Sequence, residues 1–349
     1  MKQALVKHIR HYTTAAVRGP GFGAVQDMRL RGPWTYVEDL SPMQTHKMDA
    51  TLKGHIPISR GTLVAGDAVP VGYHFAYFNG LESEEELTRA GCVRAAAPDP
   101  QLFPVRMWAG GSIEFNARPL TLGTVGSAIE RVARVEYKCK SSGIVGEEEN
   151  KNKNKNRLQE RLFVTFERRM YAQDVVSSGG GFIEKVATGT GDDKWSVKEE
   201  RTMVYMSNRS APSKSGESPF ISPKYSGPPV FQHTFTLSMV TLFRYSAVTF
   251  NGYRMHYDPL YCIEEEGLSG CLVHGPLIAT VVLSLATQAG VMIGSMGRRI
   301  VRFRYRMVAP LLVEKAITVE FRELKGVVVV VCVTDQRGSQ CVDGAIEFE

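Results

Sequence analysis

The sequence predicts an α+β protein made of two antiparallel sheets, each wrapped around a central helix. Three observations carry that prediction. Residues 275–290 form one apolar segment without a single charge, four strand-like runs follow it at short spacing, and a looser series of such runs fills residues 71–206. A chain of 349 residues is long enough for two domains, each with its own core.

Residues 1–35 stand apart in charge. Lys2, Lys7, Arg10, Arg18, Arg29 and Arg31 face Asp27 alone, so +5 of the formal net charge of +6 lies here and the rest of the chain is close to neutral. Leu5, Ile9, Tyr12 and Ala16 recur at helical spacing, with most of the basic side chains opposite. A basic, amphipathic, acid-poor leader has the composition of a mitochondrial presequence; an unstructured N-terminal tail, compatible with a cytoplasmic protein, is the other reading. Nucleic acid is not an expected partner, because a duplex-binding module carries its basic patch on the folded domain.

Residues 36–210 read as the first, looser half. Strand-like runs occur at Val71–Phe78, Ser112–Arg118, Ile129–Lys140, Arg161–Ala172 and Ser196–Met206. In the third, Val135, Tyr137 and Cys139 alternate with Glu136, Lys138 and Lys140, the period of a half-buried strand. The charged, low-complexity stretch Glu147–Glu160 cannot pack and reads as a solvated loop between strands. Gly179–Gly181 and Gly189–Gly191 mark another loop, and residues 211–232, rich in Pro, Ser and Gly, read as the linker between halves.

Residues 233–349 are the more regular half. The charge-free segment, closed by Gly290 and Gly294, is apolar nearly all round and reads as a helix buried on every side. Val301, Phe303, Tyr305 and Met307 then alternate with Arg302, Arg304 and Arg306, a row that reads as a solvated sheet face, and Pro310 ends that strand. Ile317, Val319 and Phe321 alternate with Thr318, Glu320 and Arg322; Lys325-Gly326 turns the chain into the apolar strand Val327–Val333. Asp335–Gly338 makes a second turn before a last strand near Gln340–Phe348. Four successive strands with short connections read as an antiparallel meander. A meander wrapped around a buried helix is a hot-dog, and the chain is predicted to be a double hot-dog.

Several classes are excluded. No apolar run reaches the length of a membrane span, so no membrane insertion is expected. Cys92, Cys139, Cys262, Cys271, Cys332 and Cys341 form no C-x-x-C pair and read as reduced, mostly buried thiols. There is no H-E-x-x-H and no phosphate-binding loop, and Gly19–Gly23 lacks a strand-turn-helix context, so no metal or redox cofactor is implied.

Two windows carry chemistry. Asn251 and His256 stand five residues apart, and Val273-His274-Gly275-Pro276 opens the apolar segment. Together they resemble the signature of the MaoC-like, or R-specific, enoyl-thioester hydratases and 3-hydroxyacyl-thioester dehydratases. In that family a Gly-Asp-x-Asn-Pro-x-His loop sets an acid and a histidine at this spacing, and V-x-H-G begins the central helix. The wording around Asn251, around His274 and in Arg106–Ser112 is similar to a branch of mitochondrial-type 3-hydroxyacyl-thioester dehydratases and mesaconyl-CoA (C4) hydratases. The resemblance spans residues 38–349. It implies a hydro-lyase of fatty acid metabolism that interconverts 2-enoyl and 3-hydroxyacyl thioesters on CoA or acyl carrier protein. One site per chain is expected, in a monomer (a pseudo-dimer of halves) or a homodimer.

Hydrating an α,β-unsaturated thioester needs a base to activate water and an acid to protonate Cα, and His256 is expected to serve as both. A backbone N–H at the start of a buried helix polarises the carbonyl where negative charge develops, which assigns the oxyanion contact to Gly275. Asn251 stands where the family places an acid; it cannot ionise and is expected to position the water. Asp258 is a candidate helper of His256. Tyr253, His274, Trp108 and Arg254 are expected to contact substrate, with Arg254 or Arg244 meeting a free carboxylate if the acyl group has one. The missing acid also leaves an alternative, a non-hydrating double hot-dog recruited as a cyclase or intermediate-binding protein.

Overall fold

The computed structural model describes residues 21–140, 159–172, 194–207, 218–225, 227–290 and 297–349. In chain order they form helix α1 (Gly21–Arg29), strand β1 (Trp34–Asp39), helix α2 (Pro42–Leu52), strands β2 (Val105–Phe115), β3 (Val125–Lys140), β4 (Gln159–Tyr171), β5 (Val197–Met206) and β6 (Phe231–Thr236), helices α3 (Met239–Val248) and α4 (Gly275–Gln288), and strands β7 (Ile300–Met307), β8 (Ala316–Lys325), β9 (Val328–Thr334) and β10 (Gln340–Phe348). All ten strands join one antiparallel sheet in the order β1-β3-β4-β5-β2-β7-β10-β9-β8-β6. Its two halves repeat one topology, the double hot-dog that the sequence predicts, but they share one continuous sheet where two separate sheets were expected, because β2 and β7 pair edge to edge.

The seam between halves is the β2–β7 pair, running from Gly110 opposite Arg306 to Glu114 opposite Arg302. A glycine on each side of β2 allows the close packing: a Cβ on Gly110, where φ is +137°, would lie 2.4 Å from the Tyr305 carbonyl oxygen across the seam, and one on Gly111 would lie 1.9 Å from that of Glu200 on β5. The β2–β5 register shifts between Trp108 and Gly110, so Ala109 is the extra residue of a bulge that turns β2 beside Trp108.

Helix α4 is the core of the second half. Leu277 to Ala286 are all buried, as expected of a helix with no polar face. The central helix expected in the first half is absent: at the equivalent place between β1 and β2 there is only a 3-10 turn, Tyr73–Ala76. That turn lies against α4: Thr280 Oγ1 donates to the Gly72 carbonyl at 3.1 Å, and Gly72 has φ +88°. One continuous apolar cluster, from Leu40 to Phe348, therefore serves both halves.

Four further expectations change. Val71–Phe78 is not a strand, because Tyr73 to Phe78 are buried in succession and no face remains to alternate. The C-terminal strands are not a simple meander: β8, β9 and β10 are, but β7 pairs with β10 and β2. The β7–β8 connection is held away from a hairpin by bonds from Val273 N to Leu311 O, Val313 N to Cys271 O and Glu314 N to Leu237 O. The leader does not extend to residue 35, since α1 packs on the sheet with Ala24, Val25 and Met28 buried beside Phe166 and Met203. The stretch read as linker is bound where described, with Ile221 N donating to Ser339 Oγ at 2.9 Å, and β6 begins at Phe231. Residues 1–20, 147–158, 179–181, 189–191, 211–217 and 294 of the sequence reading lie outside the described residues.

If α1 belongs to the fold, truncating Met28 opens a cavity. Met28→Ala is expected to lower unfolding free energy by about 2–4 kcal/mol in urea titration, whereas a leader residue would leave the midpoint unchanged.

Candidate active site

His256 lies in the loop between α3 and α4, just after Tyr253, and its ring is buried. Its Nδ1 sits 2.8 Å from the Leu272 carbonyl oxygen. A carbonyl only accepts, so Nδ1 carries the hydrogen and Nε2 is the nitrogen with the free lone pair. The same loop is stitched to the same segment by the backbone, with Leu272 N donating to Met255 O at 3.1 Å. Burial holds the imidazole down at about 4, well below the usual histidine value; the Leu272 bond opposes this and the charge of Arg106 adds to it. His256 is therefore neutral near pH 7.

Asn251 is set by the way α3 ends. Asn251 N donates to Ser246 O at 2.8 Å and Phe250 N to Ala247 O at 3.4 Å, the paired bonds of a Schellman motif. The left-handed position of that motif is Phe250, with φ +48°, where glycine is the usual occupant. Asn251 Oδ1 then accepts from Tyr253 N at 3.1 Å, fixing the turn toward His256.

Gly275 begins α4 directly after His274. A Cβ there would meet Trp108 Cγ at 3.0 Å, so the indole lies almost on the helix start. Trp108 is fixed in turn by its Nε1–H bond to Tyr305 Oη at 3.1 Å. His256, Asn251, Gly275, Tyr253 and Trp108 all line one cavity of about 150 Å³ whose remaining wall is largely aliphatic. A second cavity of about 570 Å³ adjoins it; Arg106, Trp108, Asn251 and Pro276 border both. The combination offers a neutral base, a carboxamide and the exposed amide end of a helix around one small apolar space.

The remaining expected residues fall elsewhere. His274 does not reach the cavity: it is fully buried behind His256, rings stacked at 3.7 Å between centroids, with Nε2 2.9 Å from Ser246 Oγ. Burial and the neighbouring His256 hold it well below the usual histidine range. Two imidazoles in that contact cannot both be protonated, and burial disfavours the charged form of each. Arg254 borders neither cavity and pairs with Asp258 at 2.8 Å, which also removes Asp258 as a helper for His256. Arg244 is exposed on α3. The sequence did not show that Ser246 anchors His274, nor that Arg106 borders both cavities, although the Arg106–Ser112 block pointed to the latter.

The chain resembles known proteins along most of its length. A family model for hydroxyacyl-thioester dehydratase type 2 matches residues 72–178 and 163–313. The mitochondrial hydroxyacyl-thioester dehydratase type 2 of Schizosaccharomyces pombe is 25% identical over 285 residues, covering 80% of this chain and 87% of that one. The mesaconyl-C(4)-CoA hydratase of Chloroflexus aurantiacus is 28% identical over 256 residues, 72% of this chain and 74% of that one. Among solved structures, a MaoC-like dehydratase from Phytophthora capsici superimposes with a TM-score of 0.56 at 14% identity, covering 93% of this chain and 98% of that one. A double hot-dog protein from Mycobacterium tuberculosis gives 0.50 at 11% identity, covering 91% of this chain and 96% of that one. These two establish the fold.

The buried imidazole has a consequence for acid stability. Between about pH 4 and 6.5 the unfolded chain binds a proton at His256 that the folded chain refuses. The stabilisation linked to it is complete above pH 6.5 and is lost as pH falls toward 4, on the order of 3 kcal/mol. The stability gap between wild type and His256→Gln, measured by denaturant unfolding at stepped pH, is expected to narrow over that window; a constant gap contradicts the buried neutral ring.

Proposed function

This chain belongs to the hydroxyacyl-thioester dehydratase type 2 family, with the MaoC-like double hot-dog fold, and from that premise we propose that it reversibly hydrates 2-enoyl thioesters to 3-hydroxyacyl thioesters, with His256 as the proton carrier. The observation that supports this most is the meeting of one imidazole and one helix-start amide at a single cavity. The carrier is CoA or acyl carrier protein. The basic N-terminal composition and the mitochondrial relative support a mitochondrial setting.

In the hydration direction the thioester carbonyl accepts from Gly275 N–H, and Asn251 holds a water over Cβ. His256 Nε2 takes a proton from that water as the C–O bond forms, and the π electrons move onto the carbonyl oxygen as an enolate. The protonated ring then returns its proton to Cα, the carbonyl re-forms, and His256 is neutral again. Each event reverses in dehydration. The wall of Met255, Leu272, Val273, Met307 and Leu311 keeps bulk water from the enolate.

His256→Ala is expected to lower kcat by about 10²–10⁴-fold, followed by enoyl absorbance, with the far-ultraviolet spectrum of the fold retained. Full activity in that variant removes the assignment. In the free enzyme the acid limb of kcat/KM should fall nearer pH 4 than 6.5, since the base form persists until the ring protonates at about 4.

A further inference from the structure

Arg106 is the charged residue at this site that the proposed chemistry leaves unused. It lies on β2 and borders both cavities, the small one with His256 and Gly275 and the larger one beyond Trp108. Its guanidinium makes no ion pair with a carboxylate among the described residues; its side-chain hydrogen-bond neighbour is the Cys92 thiol, and its Nε is sealed from solvent with no partner. The groups around it are Cys92, Tyr205 and Tyr253, whose ring centroid is 5.9 Å away.

The neighbouring arginines are paired. Arg168 and Arg201 hold Glu130 between them at 2.5 and 2.6 Å, and Glu199 lies 3.6 Å from Arg201. The larger cavity thus has three guanidiniums against two buried carboxylates, Glu130 and Glu199; Glu82 and Glu84 also border it but are in contact with solvent. An unmatched cation facing such a cavity is costly unless an anion joins it. The same ionic wall is a poor lining for an alkyl tail, because both Glu199 oxygens there lack hydrogen-bond donors.

We propose that Arg106 binds a free carboxylate at the far end of the acyl group, so that the site selects thioesters of short dicarboxylic acids over those of plain fatty acids. The inference rests on the thioester reading above. The planar fork of the guanidinium matches a carboxylate at two points. Arg106 borders the small cavity of His256 and Gly275 as well as the larger one, so a carboxylate only a few carbons from the thioester can meet it. The carrier's phosphates, a whole pantetheine arm away, do not meet that condition.

Binding separates these possibilities without turnover. The probes are the carba(dethia) ketone analogues of succinyl-CoA and butyryl-CoA, which have no double bond to hydrate, titrated calorimetrically into wild type, Arg106→Met, Arg106→Lys and His256→Ala. Wild type is expected to bind the succinyl analogue at least about 30-fold more tightly, the scale of a desolvated charge-assisted contact. Arg106→Met should abolish that preference, Arg106→Lys should reduce it, and His256→Ala should keep it. Equal affinity of wild type for the two analogues overturns the inference and leaves the thioester reading standing. Equal weakening of both analogues in Arg106→Met also overturns it and assigns the arginine to a carrier phosphate. If neither analogue binds wild type, the thioester reading falls and takes this inference with it.

Discussion

The hydrogen bond from His256 Nδ1 to the Leu272 carbonyl links two stretches of chain that would otherwise be independent: the loop leaving α3 and the short segment leading into α4. The backbone bonds of Leu272 to Met255 and of Val273 to Leu311 fasten that segment on both sides, so the histidine is located relative to the helix start by main chain rather than by flexible contacts. The same bond fixes the tautomer and leaves Nε2 as the basic nitrogen. His274 stacks on the other side of the ring, itself tied to Ser246, and this packing is tolerable because neither ring is charged. Position, tautomer and protonation state of His256 all follow from one buried arrangement.

The second half of the molecule was the more legible. Helix α4 and strands β7 to β10 were readable nearly to their ends, because a charge-free segment and strict alternation have few other interpretations. Strand order was not, since nothing in β7 itself says that its partners are β10 and β2 rather than the next strand along. In the first half, Val71–Phe78 misled because a short run buried on all sides has no period. The basic leader was overextended for a related reason: Arg29 and Arg31 continue the charge pattern while Met28 is already in the core. At the site, the Asn251–His256 spacing was visible, but the turn that aims Asn251 was hidden by Phe250 in a position where a glycine would have announced it. Arg254 and Asp258 stand four residues apart, close enough for opposite charges to meet, and weighing that spacing would have removed Arg254 from the substrate contacts.

The two halves use one topology unequally. In the second, α4 fills the core beside the sheet and brings its N-terminal end to the smaller cavity. In the first, a single turn stands in that place, and the larger cavity borders sheet positions Glu130, Arg168, Glu199 and Arg201 on β3, β4 and β5. Burying four ionisable groups is unfavourable unless they satisfy one another, and Glu130 does so with two arginines. Burial raises the Glu199 carboxyl above the ordinary range, as expected of the member with the weaker pairing. A filled helix in this half would have spared that expense and left no second space. The division is consistent with one half holding the reacting atoms and the other shaping what may be attached to them.

This division also gives a reason for Asn251. An acid at that position would border both cavities together with Arg106, and would supply the counter-ion that the guanidinium lacks. It would also favour the protonated form of the nearby His256, working against the burial and the Arg106 charge that keep the ring neutral. A carboxamide does neither. It retains the polar atoms that can hold a water, leaves His256 as a base, and leaves Arg106 unpaired for an anion from outside the protein. On the proposed reading, the departure from the acid-bearing motif is then not a weakened catalytic pair. It is the condition under which a single neutral imidazole and a free arginine can share one site.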